Sequence, residues 1–350
     1  MISPDTVRID AATICQLKCP SCPTAGGDIG ATIGSGFLKF DDFKKFLGRN
    51  RGIKLIELSN WGEVFLNPEL ERIIEYAHEQ GVELSIANGA NLNNATPQVL
   101  EALVKCKVRD LNCSIDGATQ ETYSIYRVKG NLENVLQNIK TVNQYKRLYK
   151  SDLPRLTWQF VVFGHNEHEI DQARAMAEAL DMHFYLKLNW DDLYDRPFSP
   201  AQDVERLRDQ FGAANRQEFL EKHKRPYIAV TCTQLWTSPQ INFNGEVLGC
   251  CINHWASFGN AFQDNLSDIL NDERMTYARE MLEGKSEARE DIPCTTCKVY
   301  SQMKEHAAWV KVEDVWIKKH TAGIKKWMLT AAGSLKSILR SMSPDTLWRG

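Results

Sequence analysis

Three cysteines stand close together near the start of the chain, in the run Cys15-Gln-Leu-Lys-Cys19-Pro-Ser-Cys22. The spacing C-x3-C-x2-C puts three thiolates in one short loop. A structural zinc site or a fully ligated cluster takes four ligands. Three thiolates from one loop leave one iron of a [4Fe–4S] cluster without a protein ligand. An iron with an open position can bind a reactant, so the pattern points to chemistry rather than to a structural staple.

A second group lies far along the chain. Cys232, Gly245 and Cys250 form a C-x12-G-x4-C pattern, and Cys294 and Cys297 form a C-x2-C pair. Asn242-Phe243-Asn244-Gly245-Glu246-Val247, just before Cys250, is a hairpin signal. Four thiolates can complete a [4Fe–4S] cluster with no open iron, or a four-cysteine zinc site. Cys251 adjoins Cys250 and competes with it for the fourth position. Cys106 and Cys113 are expected to pack in the core.

The elements that must position these residues alternate. Strands are predicted over 6–12, 55–60, 83–88, 110–116, 156–163 and 183–190, and helices over 40–47, 68–80, 97–105, 132–149 and 167–180. Strands alternating with helices predict an α/β fold with a parallel sheet and helices outside. In such sheets the active site lies at the carboxyl ends of the strands. A charged helical connector is expected over 201–228, a cysteine-rich unit over 229–305, and a basic helical tail over 306–350.

The first cysteine loop, placed just after the first predicted strand, resembles the radical S-adenosylmethionine (SAM) superfamily. Ser21 stands where that family often has an aromatic residue. The resemblance implies a partial (β/α)6 TIM barrel over residues 1–200. Its open iron would hold SAM, which is cleaved to a 5′-deoxyadenosyl radical. The later cysteines resemble the small C-terminal SPASM and twitch auxiliary domains. Their number fits the shorter twitch version, with a second [4Fe–4S] cluster on Cys232, Cys250, Cys294 and Cys297.

The resemblance extends to the strand ends. Asn60-Trp61-Gly62-Glu63 is similar to the family's Gly-Gly-Glu motif, with Trp61 in place of the first glycine. It implies that Glu63 receives the SAM ammonium and that Gly62 allows a close backbone approach. Asn88, in Ala87-Asn88-Gly89, is either a SAM contact or a turn residue. Ser114 and Arg127 match positions that hold the SAM carboxylate, for which a guanidinium fork is suited. Asn166, in Gly164-His165-Asn166-Glu167, falls where relatives contact the SAM ribose. Lys187, on the sixth strand, is a candidate substrate contact or base, and Glu167 is a second candidate base. Cys251, if it is not a ligand, is a candidate hydrogen donor.

The implied reaction removes a hydrogen from an unactivated carbon of the substrate. The single auxiliary cluster resembles that of the aminocyclitol dehydrogenase of aminoglycoside biosynthesis, which implies oxidation of a sugar-like small molecule. A flavodoxin- or ferredoxin-type protein would donate electrons. Peptide or protein maturation and redox-neutral epimerisation are the rival reactions. Cys15 comes earlier than a peptide-leader domain of about 80 residues would allow in many maturases. A non-enzymatic metal-binding scaffold would have no need of Glu63, Ser114 and Arg127.

Composition narrows the field. The 350 residues carry a net charge of −3 and 25% charged side chains, which gives no sign of nucleic-acid binding. Ten clustered cysteines fit metal ligation in a reducing cytoplasm better than a disulfide framework. No secretory signal or membrane-length apolar run is present. Basic and apolar residues mix between Trp316 and Arg340, as in an amphipathic helix. Such a helix either docks on the barrel or makes peripheral contact with an anionic membrane.

Overall fold

The computed structural model describes residues 1–190, 198–311 and 315. Met1–Trp309 form one compact unit. Val310–Gly350 are a second unit, and the predicted amphipathic tail between Trp316 and Arg340 lies outside the described residues. Among the described residues no helix is long and apolar enough to cross a membrane.

The first unit is built on eight strands: β1 (Thr6–Ile9), β2 (Leu55–Glu57), β3 (Glu83–Ala90), β4 (Asp110–Ser114), β5 (Arg155–Val162), β6 (His183–Leu188), β7 (Gln240–Ile241) and β8 (Val247–Gly249). They form one sheet in the order β6-β5-β4-β3-β2-β1-β7-β8. From β1 to β6 every neighbouring pair is parallel, as strand–helix–strand crossovers require. The sheet is the partial TIM barrel of the expected α/β fold.

Local chemistry accounts for the crossovers. The helix Pro97–Lys105 has proline at its first turn, and the Thr96 hydroxyl accepts from the Val99 N–H, both strong helix-start signals. The Asn131 carboxamide caps Leu132–Tyr149 in the same way. These two helices begin and end where the sequence places them. In β5 every residue after Arg155 is buried, as happens when a parallel sheet is covered on both faces. Trp158 and Phe160, both fully buried, anchor the centre of that core.

Several predicted strands run past their observed ends. Residues 10–12, 58–60, 115–116 and 189–190 leave the ladder. They are the positions where the chain turns at the carboxyl edge. β3 instead extends to Ala90, with a shift in its pairing to β4 between Ile86 and Ala90. The predicted helix over 167–180 divides into a 3₁₀ turn, Glu167–Glu169, and a helix, Ile170–Ala179. Two short helices, Pro23–Gly26 and Asp28–Ile33, follow the cysteine loop, where no element was expected.

The expected hairpin before Cys250 is β7–β8, antiparallel and joined through Asn242–Glu246. Its position in the sheet was not predictable from local sequence. β7 pairs in parallel with β1, Arg8 opposite Gln240 and Ile9 opposite Ile241, so the cysteine-rich region continues the barrel sheet. Three side chains lock this joint. The buried Asp10 carboxylate accepts from the Trp61 N–H at 3.2 Å and the Gln240 amide at 2.9 Å, and Arg8 Nε donates to the Gln240 oxygen at 3.0 Å.

Burial pushes the Asp10 carboxyl up from 3.8 to about 7, against the opposing pull of its hydrogen bonds and of Arg8. A carboxyl whose folded pKa exceeds its unfolded value binds more protons when folded. Its contribution to stability therefore falls as pH rises from about 4 to about 7, by at most about 4 kcal/mol. Asp10→Asn is expected to reduce the fall in melting temperature between pH 5 and pH 8, measured anaerobically on the iron-loaded protein. An unchanged pH slope would count against a titrating Asp10.

Candidate active site

The carboxyl ends of β1 to β6 surround an open cavity of about 200 Å³. Cys15, Cys19 and Cys22 line one side. Asn60, Gly62, Glu63, Asn88, Ser114, Arg127, Gln159, Lys187 and Cys251 line the rest. Of the sequence-predicted SAM and catalytic residues, only Asn166 and Glu167 are not in this wall.

The cysteine loop is held by contacts from three directions. Lys18 N–H donates to the Val128 carbonyl, and Cys22 N–H to that of Cys19, both at 3.1 Å. Asn91 Nδ2 reaches Cys15 Sγ and Arg127 Nη1 reaches Cys19 Sγ, each at 3.8 Å. Burial, with the Glu63 carboxylate nearby, pushes the Cys15 thiol up to about 12, and burial pushes Cys19 up to about 11. Such thiols become thiolates when a bound cation compensates their charge. Three sulfurs beside an open cavity therefore fit a cluster with one uncommitted iron.

Glu63 is fully enclosed. Its carboxylate accepts from the Phe65 N–H at 3.1 Å and the Asn91 N–H at 2.7 Å. Burial nonetheless pushes its pKa up to about 7, so a positive group arriving in the cavity would favour the ionised form. Gly62 is required by space. A Cβ there would lie 2.2 Å from the Ala12 carbonyl oxygen. Trp61, at the cavity wall, packs in an apolar cluster with Ile29, Ile33 and Leu248, and its ring meets His254 edge-on at 5.4 Å.

Arg127 follows the helix Gln120–Tyr126 and points back at the cavity. Its Nε donates to Asp116 Oδ2 at 2.6 Å, while Asp116 Oδ1 accepts from the Val161 N–H at 2.7 Å. Asp116 thus fixes the guanidinium, a role the sequence did not reveal. Ser114 stands beside Gly89, where the φ is +130° and an added Cβ would lie 2.4 Å from the Ser114 hydroxyl oxygen. Asn88 Nδ2 donates to Asn60 Oδ1 at 3.0 Å, and Asn60 Nδ2 to the Cys251 carbonyl at 3.1 Å. These two amides tie β3 and the end of β2 to the cysteine-rich region.

Asn166 is corrected from a cavity residue to a brace. It is fully buried, accepts from the Phe163 N–H, and donates to the Asp116 and Val161 carbonyls. Glu167 is corrected likewise. Its half-exposed carboxylate accepts from the Gln202 and Asp203 N–H groups, which holds the connector to the barrel and keeps it out of the cavity. Sequence position alone does not separate a polar residue that braces a strand-end turn from one that faces the ligand.

Lys187 points inward on β6, opposite Val161 in register. Its Nζ lies 4.8 Å from the centre of the Trp190 ring. Enclosure by the cavity walls, then repulsion from Arg216, lowers its pKa to about 8. Gln159 and Tyr126, which were not singled out as site residues, also line the cavity, as does Asn60 at the head of the Gly-Gly-Glu-like motif. The Tyr126 hydroxyl bonds Ser21 at 3.0 Å and its ring packs on Phe163 at 4.4 Å.

The second thiol group gathers as the sequence suggested. Cys232, Cys250, Cys294 and Cys297 line one small pocket with Leu235, Leu248, Phe258 and Leu282. Burial and the neighbouring thiols push Cys232 and Cys250 well up, and burial then Cys297 pushes Cys294 up to about 12. Among the described residues no group of three or more His, Cys, Asp or Glu converges on a single ion. Four thiols in an apolar pocket suit an iron–sulfur cluster, which they would surround completely. Cys251 lines the main cavity instead. Cys113 is buried in β4, and Cys106 is half-buried and also apart from both thiol groups.

Sequence families agree with this division. Residues 10–177 match the radical SAM superfamily, and residues 232–298 match SPASM, an iron-sulfur cluster-binding domain. The chain carries a radical SAM domain followed by a C-terminal SPASM domain. Its cofactors are SAM, the [4Fe–4S] cluster that binds it, and auxiliary iron–sulfur. An AdoMet-dependent heme synthase of Methanosarcina barkeri is 29% identical over 154 residues, 43% of this chain and 41% of that protein. The match therefore spans under half of that relative's length. The fold of Streptococcus suis SuiB bound to its precursor peptide SuiA is similar, with a TM-score of 0.62 at 14% identity over 86% of this chain and 71% of that one. The AdoMet-bound structure of anSMEcpe gives 0.59 at 14% identity, covering 98% and 97%.

The separation of Cys250 from Cys251 has a direct chemical readout. After anaerobic reconstitution, Cys250→Ser is expected to lose about four irons per chain, while Cys251→Ser retains the wild-type content. Simultaneous replacement of Cys15, Cys19 and Cys22 by alanine is expected to remove about four irons and abolish SAM cleavage. Equal iron loss in Cys250→Ser and Cys251→Ser would contradict the assignment.

Proposed function

We propose that this radical SAM enzyme is an oxidoreductase that carries out a two-electron oxidation of a small, carbohydrate-like substrate, such as an alcohol to a ketone. One observation carries the reading. Consecutive residues, Cys250 and Cys251, line the auxiliary thiol pocket and the main cavity respectively, so the substrate site adjoins the second redox site.

When bound, the cofactors supply a 5′-deoxyadenosyl radical that takes a hydrogen atom and an auxiliary cluster able to take the second electron. The chain's own residues do the rest. Glu63 receives the SAM ammonium, and Ser114 and Arg127 its carboxylate, with Asp116 keeping the guanidinium aimed. Gly62 lets the cofactor edge approach the backbone. Asn60, Asn88 and Gln159 present neutral hydrogen-bonding groups to a hydroxylated ligand. The hydroxyl proton of the substrate leaves to a base at the cavity wall, a role for which the Glu167 carboxylate, held by the connector, is not placed. A flavodoxin- or ferredoxin-type donor provides the electron that begins the cycle.

Redox-neutral epimerisation is the second reading. It is favoured by the Cys251 side chain at the cavity wall, where a thiol could return a hydrogen atom to the opposite face of a substrate radical and its thiyl radical would be restored by one electron from the protein donor and a solvent proton.

The two are separated by products. Reconstituted enzyme with SAM, reductant and a panel of sugars and aminocyclitols, together with their phosphorylated and carboxylated derivatives, is expected to give 5′-deoxyadenosine and ketone in equal amounts with the member that is its substrate. Cys294→Ala is expected to keep SAM cleavage and lose the ketone. An unoxidised, inverted product carrying solvent deuterium, lost in Cys251→Ala, would replace oxidation with epimerisation.

A further inference from the structure

Charge in the cavity is unevenly settled. The Asp116 carboxylate is committed, to Arg127 Nε through one oxygen and to the Val161 N–H through the other. Glu63 spends both oxygens on main-chain N–H groups, and in the proposed reading it faces the SAM ammonium. Arg127 has Asp116 and the Cys19 sulfur. Lys187 is different. Among the described residues no carboxylate pairs with it, and its recorded neighbour is the Trp190 ring. The charged and titratable groups that act on it are Arg216, Cys251, Asp116 and Arg127, and two of these repel it. The side chains that line the cavity from the adjoining strand ends, Ser114, Gln159, Asn60 and Asn88, are neutral.

An enclosed ammonium without a counter-ion is costly, because its lost hydration is not replaced. The protonated form nevertheless dominates near pH 7, since a pKa of about 8 leaves about nine amines in ten charged. At that pH the side chain chiefly offers a positive charge and three N–H donors, and only a small fraction offers a lone pair.

We propose that the cavity admits a substrate bearing an anionic group, a phosphate or a carboxylate, and that Lys187 is the residue that receives it. The rest of the ligand is the sugar-like body of the proposed function, and only that part of the inference rests on the earlier reading. The anion supplies a counter-charge that none of the described residues provides, and the Trp190 ring covers the ammonium from one side. Recognition of this kind would exclude neutral analogues, because binding one would leave the ammonium buried and unpaired.

Reductive methylation of lysines, followed by peptide mass spectrometry on the reconstituted protein, tests this without turnover, so a failure of the oxidation chemistry leaves it interpretable. The probes are inorganic phosphate, acetate and glucose, each with SAM bound. The exposed Lys107 serves as the control. An anion at ten times its dissociation constant leaves about one site in eleven open, so labelling of Lys187 is expected to slow about tenfold while Lys107 is unaffected. Protection by phosphate but not acetate marks a phosphorylated substrate, and the reverse marks a carboxylated one. Protection by neither anion, or equally by glucose, overturns the proposal. So does full protection by SAM alone, which would assign Lys187 to the cofactor's carboxylate.

Discussion

The carboxyl edge of the sheet is stitched by buried carboxylates that accept main-chain N–H groups from neighbouring strand ends, and the whole site hangs on those stitches. Asp10 after β1 takes the Trp61 N–H beyond β2. Glu57 of β2 takes those of Ala87 and Asn88 on β3. Glu63 takes that of Asn91 beyond β3. Asp116 after β4 takes that of Val161 on β5, and Glu169 takes those of Ala118 and Thr119. A splayed barrel leaves N–H groups at its strand ends without ladder partners, and a buried donor must find an acceptor. An anion is the stronger acceptor. It also sets the field in which a cationic cofactor and a guanidinium find their places.

This arrangement links stability to chemistry. Asp116 holds backbone with one oxygen and the guanidinium with the other, and Glu63 holds backbone with both while it lines the cavity. Replacing either would loosen a turn and alter the site's charge together. The amides divide the work differently. Asn166 is wholly a brace, whereas Asn60 lines the cavity and reaches the segment that carries Cys251, and Asn88 lines it while bonding Asn60.

Much of this was legible in the sequence, for physical reasons. Strand–helix alternation follows from hydrophobic periodicity, and the three-cysteine loop constrains its own chemistry. Helices with strong start signals, such as Pro97–Lys105, were placed to the residue. Features set by non-local pairing were not. Two residues, Gln240 and Ile241, are too few to announce a strand, and nothing local says that they join β1. Cys250 and Cys251 were indistinguishable by spacing, because only the fold decides which neighbour faces which pocket. Gln159 read as an ordinary β-strand residue, and Tyr126 lay in no predicted element, until the strands beside them were in place.

The pairing of β1 with β7 also bears on how the protein is made. Arg8 and Gln240 are 232 positions apart. During synthesis one edge of β1 therefore waits for most of the chain to appear, a delay of roughly 10–50 s at ordinary ribosomal speed. An uncovered parallel edge invites association with other nascent chains. The short length of β1, four residues, and the Arg8 side chain on it limit that hazard. The cysteine-rich region, in addition to any role as a cluster holder, closes the barrel's first edge, so a chain truncated before Pro239 would present that edge to the chaperone machinery.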